Sequence, residues 1–393
     1  MKFAHLGDCH LGSWRQPELQ ELNFKSFEKA IDLIIQERLD FVLIAGDLFD
    51  SAYPPIEILK RTFAQFRRLK EANIKVFLIA GSHDYSVSGK TFLDVLEKGG
   101  FCEICPYRET PEAIYLDPIK YKTFEIYGYP GKKSGLEIED WKKVILPPDN
   151  QNFRILMLHT SLKEAVGDLP IESLSMHSLP RADYYALAHL HINFEQKLKD
   201  KYVIYSGPIY PNSFQELQDL SYGRFYIIDV GGFVEPKKKE IVLKEVASFN
   251  IEVTNALTGT QQIISEFEKH NLQDKIVLLR VYGSLTQGTN ADMDYERIQN
   301  YIIEKGCYSF LKNTNKLNTK EQEIEIKVSS TEVNKIEEEL IESYQLTNPD
   351  KFNNLIIPLM HSLELSKQED EKSAIFESRL LGDLNKILGL ELK

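Results

Sequence analysis

The sequence predicts an α/β protein whose chemistry sits at the carboxyl ends of its strands. Three apolar runs, Lys2 to Leu6, Phe41 to Ala45 and Lys75 to Ala80, each break at a glycine that is followed by carboxylates or imidazoles. The stretches between them carry apolar residues at helical spacing, which makes a βαβαβ beginning. Of the nine histidines, five (His10, His83, His159, His189 and His191) stand directly after a buried-strand pattern.

Lys2 to Leu6 ends in Gly7-Asp8-Cys9-His10. Residues 20–37 place Phe24, Phe27, Ile31, Ile34 and Ile35 on one helical face, suited to packing on a sheet. Phe41 to Ala45 is unbroken in its apolarity, as expected of a strand buried on both faces. Gly46 then lets the chain turn and lets another group come close. Asp47 follows at the strand end, where open α/β sheets place their ligands, and is the expected hub. Pro54 and Pro55 precede a helix with Ile58, Leu59, Thr62, Phe63, Phe66 and Leu69 in one stripe. The third run closes on Gly81-Ser82-His83-Asp84.

Past Gly99-Gly100, strands are expected at Tyr121 to Tyr127 and at Arg154 to Leu158, which leads into His159. Tyr184 to Ala188 leads into His189-Leu190-His191, and Tyr202 to Tyr205 and Arg224 to Val230 finish the sheet. Gly231-Gly232 then closes a first domain at 1–232. Residues 233–318 read as a small α/β unit. Its strands are expected at Glu240 to Val246, Ile251 to Thr254 and Lys275 to Tyr282, its helices across Gln261 to His270 and Tyr295 to Lys305. Asn313 to Lys320 is polar and reads as connecting chain, with a linker at 319–332. Residues 333–393 are expected to be helical. Val333, Ile336, Leu340, Ile341 and Tyr344 form one stripe, and Phe376, Leu380, Leu384, Ile387 and Leu388 another.

The bulk composition, 393 residues with 42% hydrophobic and 27% charged, is that of a folded chain of two or three domains. No apolar run reaches the roughly 18 residues of a membrane span. The charge at Asp8 interrupts the amino-terminal run as no secretory signal does. Cys9, Cys102, Cys105 and Cys307 are too scattered for a disulfide framework, and Cys102-x-x-Cys105 has no second pair for zinc. The expected compartment is intracellular: cytoplasmic and nucleoid-associated in a prokaryote. A net charge of −12 lacks the basic face of a general nucleic-acid binder. Cations held among carboxylates would still draw phosphates in, so charge decides neither way.

Imidazole and carboxylate together suit borderline divalent ions such as Mn, Fe or Zn better than magnesium alone. Residues i and i+2 of an extended segment point the same way, so Asp8 with His10, and His189 with His191, are two-ligand clips. Two cations about 4 Å apart need a shared carboxylate, and Asp47 is the natural one. Taken singly, Asp8-x-His10 fits a turn and His159 a satisfied histidine near a strand end. Taken together, these groups would be stranded without partners at one buried edge unless they hold metal.

Asp8-x-His10, Gly46-Asp47-x-x-Asp50, Gly81-Ser82-His83-Asp84, His159 and His189-x-His191 resemble the five motifs of calcineurin-like metallophosphoesterases. Within that superfamily, the stretches KFAHLGDCHLG, IAGDLFDS and YYALAHLHI are similar to the SbcD-type, or meiotic-recombination-eleven, nuclease of DNA double-strand-break repair. The likeness is close over residues 1–230, loose over the next unit and one of arrangement only in the tail. It implies a β-sandwich flanked by helices, a small α/β cap that clamps DNA, and a helical tail. It also implies two divalent ions, Mn2+ being the expected metal. One would be held by Asp8, His10, Asp47 and His191, the other by Asp47, Ser82, His159 and His189. His83 would face the substrate and stabilise or protonate the leaving oxygen, with Asp50 or Asp84 as its orienting acceptor.

The implied partners are DNA ends, an SMC-like coiled-coil ATPase on the C-terminal helices, and a second copy of the chain through helices near residues 57–70 and 91–98. The tail could instead fold back on the cap, and Lys237, Lys238 and Lys239 could meet phosphate or simply face solvent. Two positions depart from the family. Its usual asparagine is Ser82, a shorter and poorer ligand, so a weaker second metal site is expected. Its glycine before the paired histidines is Ala188. The alternatives are another phosphodiesterase or phosphomonoesterase of the superfamily, which would need neither cap nor tail, and a repair-complex scaffold with an impaired second site.

Overall fold

A computed structural model describes residues 1–86, 89, 91–132, 137–167, 169–199, 201–319, 353–363, 365 and 373–388. The chain divides into two compact units. One comprises Met1–Glu252, Thr260–Val281 and Asp294–Thr314, the other Val253–Gly259, Tyr282–Met293 and the described residues from Asn315 on.

The three amino-terminal runs form parallel neighbours β1 (Lys2–Leu6), β2 (Phe41–Ala45) and β3 (Lys75–Ile79). Glu103–Ile104 extends this sheet beyond β3, and Gly223–Val230 with Val234–Ile241 completes it on the other side, antiparallel, for six strands. A second six-stranded sheet runs Phe194–Leu198, Lys201–Tyr205, Tyr184–Ala188, Phe153–His159, Phe124–Tyr129, Ile119–Tyr121, with its four central strands parallel.

Strand alternation explains why the central runs are apolar throughout. Phe3, Phe41, Leu43 and Phe77 point to the second sheet and share one buried layer with Phe124, Ile126, Ile155 and Tyr184. Ala4, Leu6, Val42, Ile44 and Val76 point the other way, into a layer closed by α1 (Pro17–Gln36) and α2 (Ile56–Glu71) through Phe24, Phe27, Ile31 and Phe66. The result is the helix-flanked β-sandwich that the motifs implied.

Elsewhere the chain differs from the reading of its sequence. Gly231-Gly232, where a first domain was expected to close, is the turn of a hairpin, and Val234–Ile241 pairs back onto Gly223–Val230. The lysine run conceals this strand, because edge strands carry lysine to discourage pairing with other chains. Each lysine has an acidic neighbour: Lys237 Nζ lies 3.9 Å from Glu235, Lys238 Nζ 3.7 Å from Glu240 and Lys239 Nζ 2.7 Å from Glu37. Asn313 to Lys320, read as connecting chain, is the second half of a strand, Ser309–Thr319, in a sheet ordered Val246–Glu252, Ile276–Leu285, Ser309–Thr319. Its buried residues include only Leu311 and Leu317 as large apolar groups, so the pattern looked like loop.

The helices of this region are Ala256–Phe267 and Tyr295–Glu304. In the tail, Ile356–Leu363 and Ser373–Leu388 are helices, the second carrying Phe376, Leu380, Leu384, Ile387 and Leu388. The stripe from Val333 to Tyr344 and most of the expected linker lie outside the described residues. No helix among the described residues is long and apolar enough to cross a membrane.

Candidate metal centre

Five strand ends, three from one sheet and two from the other, deliver their polar residues to one place. Asp8, Asp47 and His159 each offer a ligand atom within 4.8 Å of the others, as do Asp8, His10 and His191, and again His10, Asp50 and His83. Shared members make these one cluster. Asp47 Oδ2 is its midpoint, 3.1 Å from His159 Nε2, 3.6 Å from His10 Nε2 and 3.3 Å from the Ser82 hydroxyl that donates to it. His10 Nε2 lies 3.0 Å from His191 Nε2, which is 3.9 Å from Asp8 Oδ1. His189 belongs less directly. Its ring packs on that of His159 at 5.1 Å and its main-chain N–H donates to both Asp8 oxygens at 2.9 and 3.0 Å, but it is outside the three groups.

The backbone is bent to achieve this. Asp8, His10, Asp47 and His189 have φ of 48°, 41°, 50° and 97°. Only a few per cent of non-glycine residues adopt such values, and strain of this kind gathers at functional sites. Gly46, at φ 100°, leaves room that a Cβ would fill, 2.4 Å from His159 Nδ1. The Ala188 methyl lies against Gly7. At Gly81 a Cβ would stand 2.2 Å from Asp47 Oδ1. Gly81→Ala is therefore expected to push the Asp47 carboxylate out of place and weaken metal binding by roughly 10- to 100-fold. Calorimetric titration of metal-stripped protein reads this, and an unchanged affinity with an unchanged melting temperature would contradict it.

The imidazoles are anchored from behind. His159 Nδ1 donates to the Ala45 carbonyl at 3.0 Å, His191 Nδ1 meets Glu216 Oε1 at 3.1 Å, and His10 Nδ1 meets Asp50 Oδ1 at 3.2 Å. Each ring thus turns Nε2 to the centre, the arrangement that outer partners impose on metal-holding histidines. His159 Nε2 is buried and lies 3.1 Å from Asp47 Oδ2. Two Nε2 atoms face to face at 3.0 Å, a third aimed at the Asp47 carboxylate and several carboxylates in one buried spot fit divalent cations.

Of the two expected acceptors, Asp50 is the one that faces the His83 ring, by its main-chain carbonyl and not its carboxylate, and Asp84 takes a different part. His83 Nδ1 donates to the main-chain carbonyl of Asp50 at 2.9 Å, while the Asp50 carboxylate serves His10. The buried Asp84 carboxylate accepts main-chain N–H groups from Gly81 (2.9 Å), Leu48 (3.3 Å) and Phe49 (3.1 Å). It fastens together the turns that carry Asp47 and His83 and is not committed to the His83 ring. Glu216 could not be found in the sequence. Ser213-x-x-Glu216 marks a helix start, with the Glu216 N–H donating to Ser213 Oγ at 3.1 Å, and nothing in it announces His191.

Electrostatics follow from the crowding. Burial opposes the charge on His159, but the adjacent Asp47 outweighs it and pushes the imidazole up to about 9. Burial likewise opposes the charge on His191, and Asp8 with Glu216 raises it to about 9. Burial works against ionised Asp47, yet His159, His10 and the His83 N–H hold it well below the usual carboxylate range. Burial, then the charge of His159, lowers His189 to about 4, so that ring is neutral. Burial, then the charge of Asp47, raises Asp84 to about 7.

A cation must displace the protons of His159 and His191. Metal affinity of the stripped protein is therefore expected to climb as pH rises towards about 9, where both imidazoles give up their protons. Calorimetry in buffers of different ionisation enthalpy should show proton release on uptake near neutral pH, and uptake without release would contradict it. A cavity of about 670 Å³ lined by Lys70, Lys75, Phe101 and Cys102 opens at the amino end of β3, the wrong end of the strand for this chemistry.

Residues 1–193 match the model of the calcineurin-like phosphoesterase family. The chain is similar to the DNA double-strand break repair protein Mre11 of Methanocaldococcus jannaschii, 29% identical over 280 residues that cover 64% of this chain and 70% of that one. The protein of the same name from Archaeoglobus fulgidus is 29% identical over 225 residues, covering 53% and 50%. The uncharacterized metallophosphoesterase YhaO of Bacillus subtilis is 26% identical over 302 residues, covering 74% and 72%. The matched segments thus span from half to under three-quarters of these relatives' lengths.

Proposed function

From the calcineurin-like phosphoesterase domain that this chain carries over residues 1–193, we propose a metal-dependent DNA nuclease. It would hydrolyse phosphodiesters with two divalent ions, Mn2+ foremost, and process DNA ends in double-strand-break repair. The observation that carries this reading is the gathering of Asp8, His10, His159 and His191 around Asp47. Asp8, His10, Asp47 and His191 would hold one ion; Asp47, Ser82, His159 and His189 the other. When bound, such ions neutralise charge developing on the phosphate and make water more acidic.

The chain's own groups do the rest. Asp47 spans both ligand sets. Ser82 offers a hydroxyl where an amide would be the better ligand, so the second ion is the one lost first. A carbonyl only accepts, so His83 Nδ1 carries its proton towards Asp50 and the other ring nitrogen is left for substrate. Protonated on that second nitrogen as well, His83 can hand the added proton to the leaving oxygen.

Residues 233–318 would act as the DNA-clamping cap, although the glutamate partners of Lys237, Lys238 and Lys239 reduce what that run offers to phosphate. Exposed Leu363, Leu381 and Leu388 on the terminal helices support docking in a groove, proposed to be that of an SMC-like ATPase. A second copy would join through helices near residues 57–70 and 91–98, and the substrate puts the protein inside the cell.

The test is an assay of metal-stripped protein, with and without Mn2+, on duplex DNA ends and on a small chromogenic phosphodiester. Cleavage of both, only with metal, is expected. Hydrolysis of the ester alone points to another phosphodiesterase of the superfamily. Loss of both activities with ATPase binding retained points to a scaffold.

A further inference from the structure

We propose that Tyr53 is a stacking platform for the nucleobase beside the scissile phosphate, so that the centre discriminates for strands with an intact, unpaired base at the cut. The inference rests on the nuclease reading above and names the feature of the substrate that the site recognises. Tyr53 and Ile56 are 71% and 74% exposed, a few residues after Asp50, which belongs to the metal-ligand cluster.

Both follow Asp50, which is fixed at three points. Its N–H donates to the Leu11 carbonyl at 3.3 Å, its carboxylate meets His10 Nδ1 at 3.2 Å, and its carbonyl accepts from His83 Nδ1 at 2.9 Å. Burial then alternates: Ala52 and Pro54 turn inward, Ser51, Tyr53 and Pro55 outward. Pro54 and Pro55 restrict their own φ, and Pro54 bars Tyr53 from helical geometry, so the backbone bearing the ring is stiff. The Tyr53 N–H donates to Ser51 Oγ at 3.3 Å, while its ring makes no hydrogen bond or ring contact among the described residues. Three extended residues span at most about 10 Å, which keeps the ring close to a phosphate held at Asp50 and His83.

Magnitudes favour stacking over charge here. The chain carries a net charge of −12, and its one lysine triplet is already matched to glutamates. That triplet therefore offers little to a phosphate backbone. Base–aromatic stacking does not depend on charge, tolerates any sequence and strengthens binding by roughly tenfold per base. The stiff backbone that presents Tyr53 has little freedom left to lose when the ring engages a base.

The test uses metal-loaded, full-length protein and two short strands, each with one hydrolysable linkage. The nucleotide beside that linkage is either intact or a reduced abasic residue. Wild type should prefer the intact strand by about tenfold in kcat/KM, mostly through KM. Tyr53→Ala should erase the preference and Tyr53→Phe should keep it; 2-aminopurine at the same nucleotide should be quenched by wild type and Tyr53→Phe only. Equal rates on both strands in wild type, or a preference that survives Tyr53→Ala, overturns the proposal while leaving the nuclease intact. A wild type that cuts neither strand yet hydrolyses a small phosphodiester overturns the nuclease reading and this proposal together.

Discussion

Asp47→Asn is expected to cost roughly a thousandfold or more in phosphodiester hydrolysis, about 4 kcal/mol of transition-state stabilisation, and to leave the protein unable to retain a pair of ions. The substitution is chosen to spare the fold. Asparagine keeps an oxygen where Asp47 Oδ1 accepts the His83 N–H at 2.7 Å, but it removes the charge that His10, His159 and Ser82 all face. Without it, two cations in one cavity would repel with no anion between them.

The same change should show in the stability of the metal-free protein. In the wild type, Asp47 raises His159 to about 9. That interaction stabilises the fold fully below the unfolded imidazole value of about 6.5 and fades as pH rises through the folded value. In Asp47→Asn, burial alone acts on His159 and favours the neutral ring. The stability gap between wild type and variant is therefore expected to be widest below about pH 6.5 and to narrow towards about pH 9. Elemental analysis, rate measurements and denaturant titrations at several pH values check the three claims. A variant that keeps both ions and its turnover would end the view of Asp47 as hub.

Why the cluster could be read from sequence while its wiring could not is a matter of range. A run such as Phe41–Ala45 is apolar because both faces of its strand are covered, and a glycine then an acid after it marks where cover stops. That signal is local, and it repeats before Asp8, Asp47 and His83; His159 closes its own strand and His189 follows one. Wiring is non-local. Asp84 is next to His83 in the chain and Asp50 is 33 residues away, yet it is the Asp50 carbonyl that reaches the ring, while the Asp84 carboxylate turns inward to three main-chain N–H groups.

Glu216 meets His191 through a turn of chain and a helix start that advertise only themselves. Polarity misled in a second way. Val234–Ile241 and Ser309–Thr319 are strands whose exposed faces carry lysine, asparagine and threonine, and half of a two-faced pattern looks like loop when the buried half is sparse.

His83→Gln should separate holding metal from using it. None of the hydrogen bonds that orient His10, His159 and His191 passes through the His83 ring, so the variant should take up as much metal as the wild type. What it loses is a group that can carry a proton to the departing alkoxide; glutamine donates a hydrogen bond but cannot give the proton up. General acid catalysis contributes roughly 10²- to 10⁴-fold, and DNA hydrolysis should fall by about that much, in kcat more than in KM. An aryl phosphodiester whose leaving group departs as a stable phenolate needs no such proton, and its hydrolysis should fall far less. The ratio of the two losses is the measurement. Equal losses on DNA and on the aryl ester would mean that His83 positions the phosphate and transfers nothing, and loss of bound metal would place it among the ligands instead.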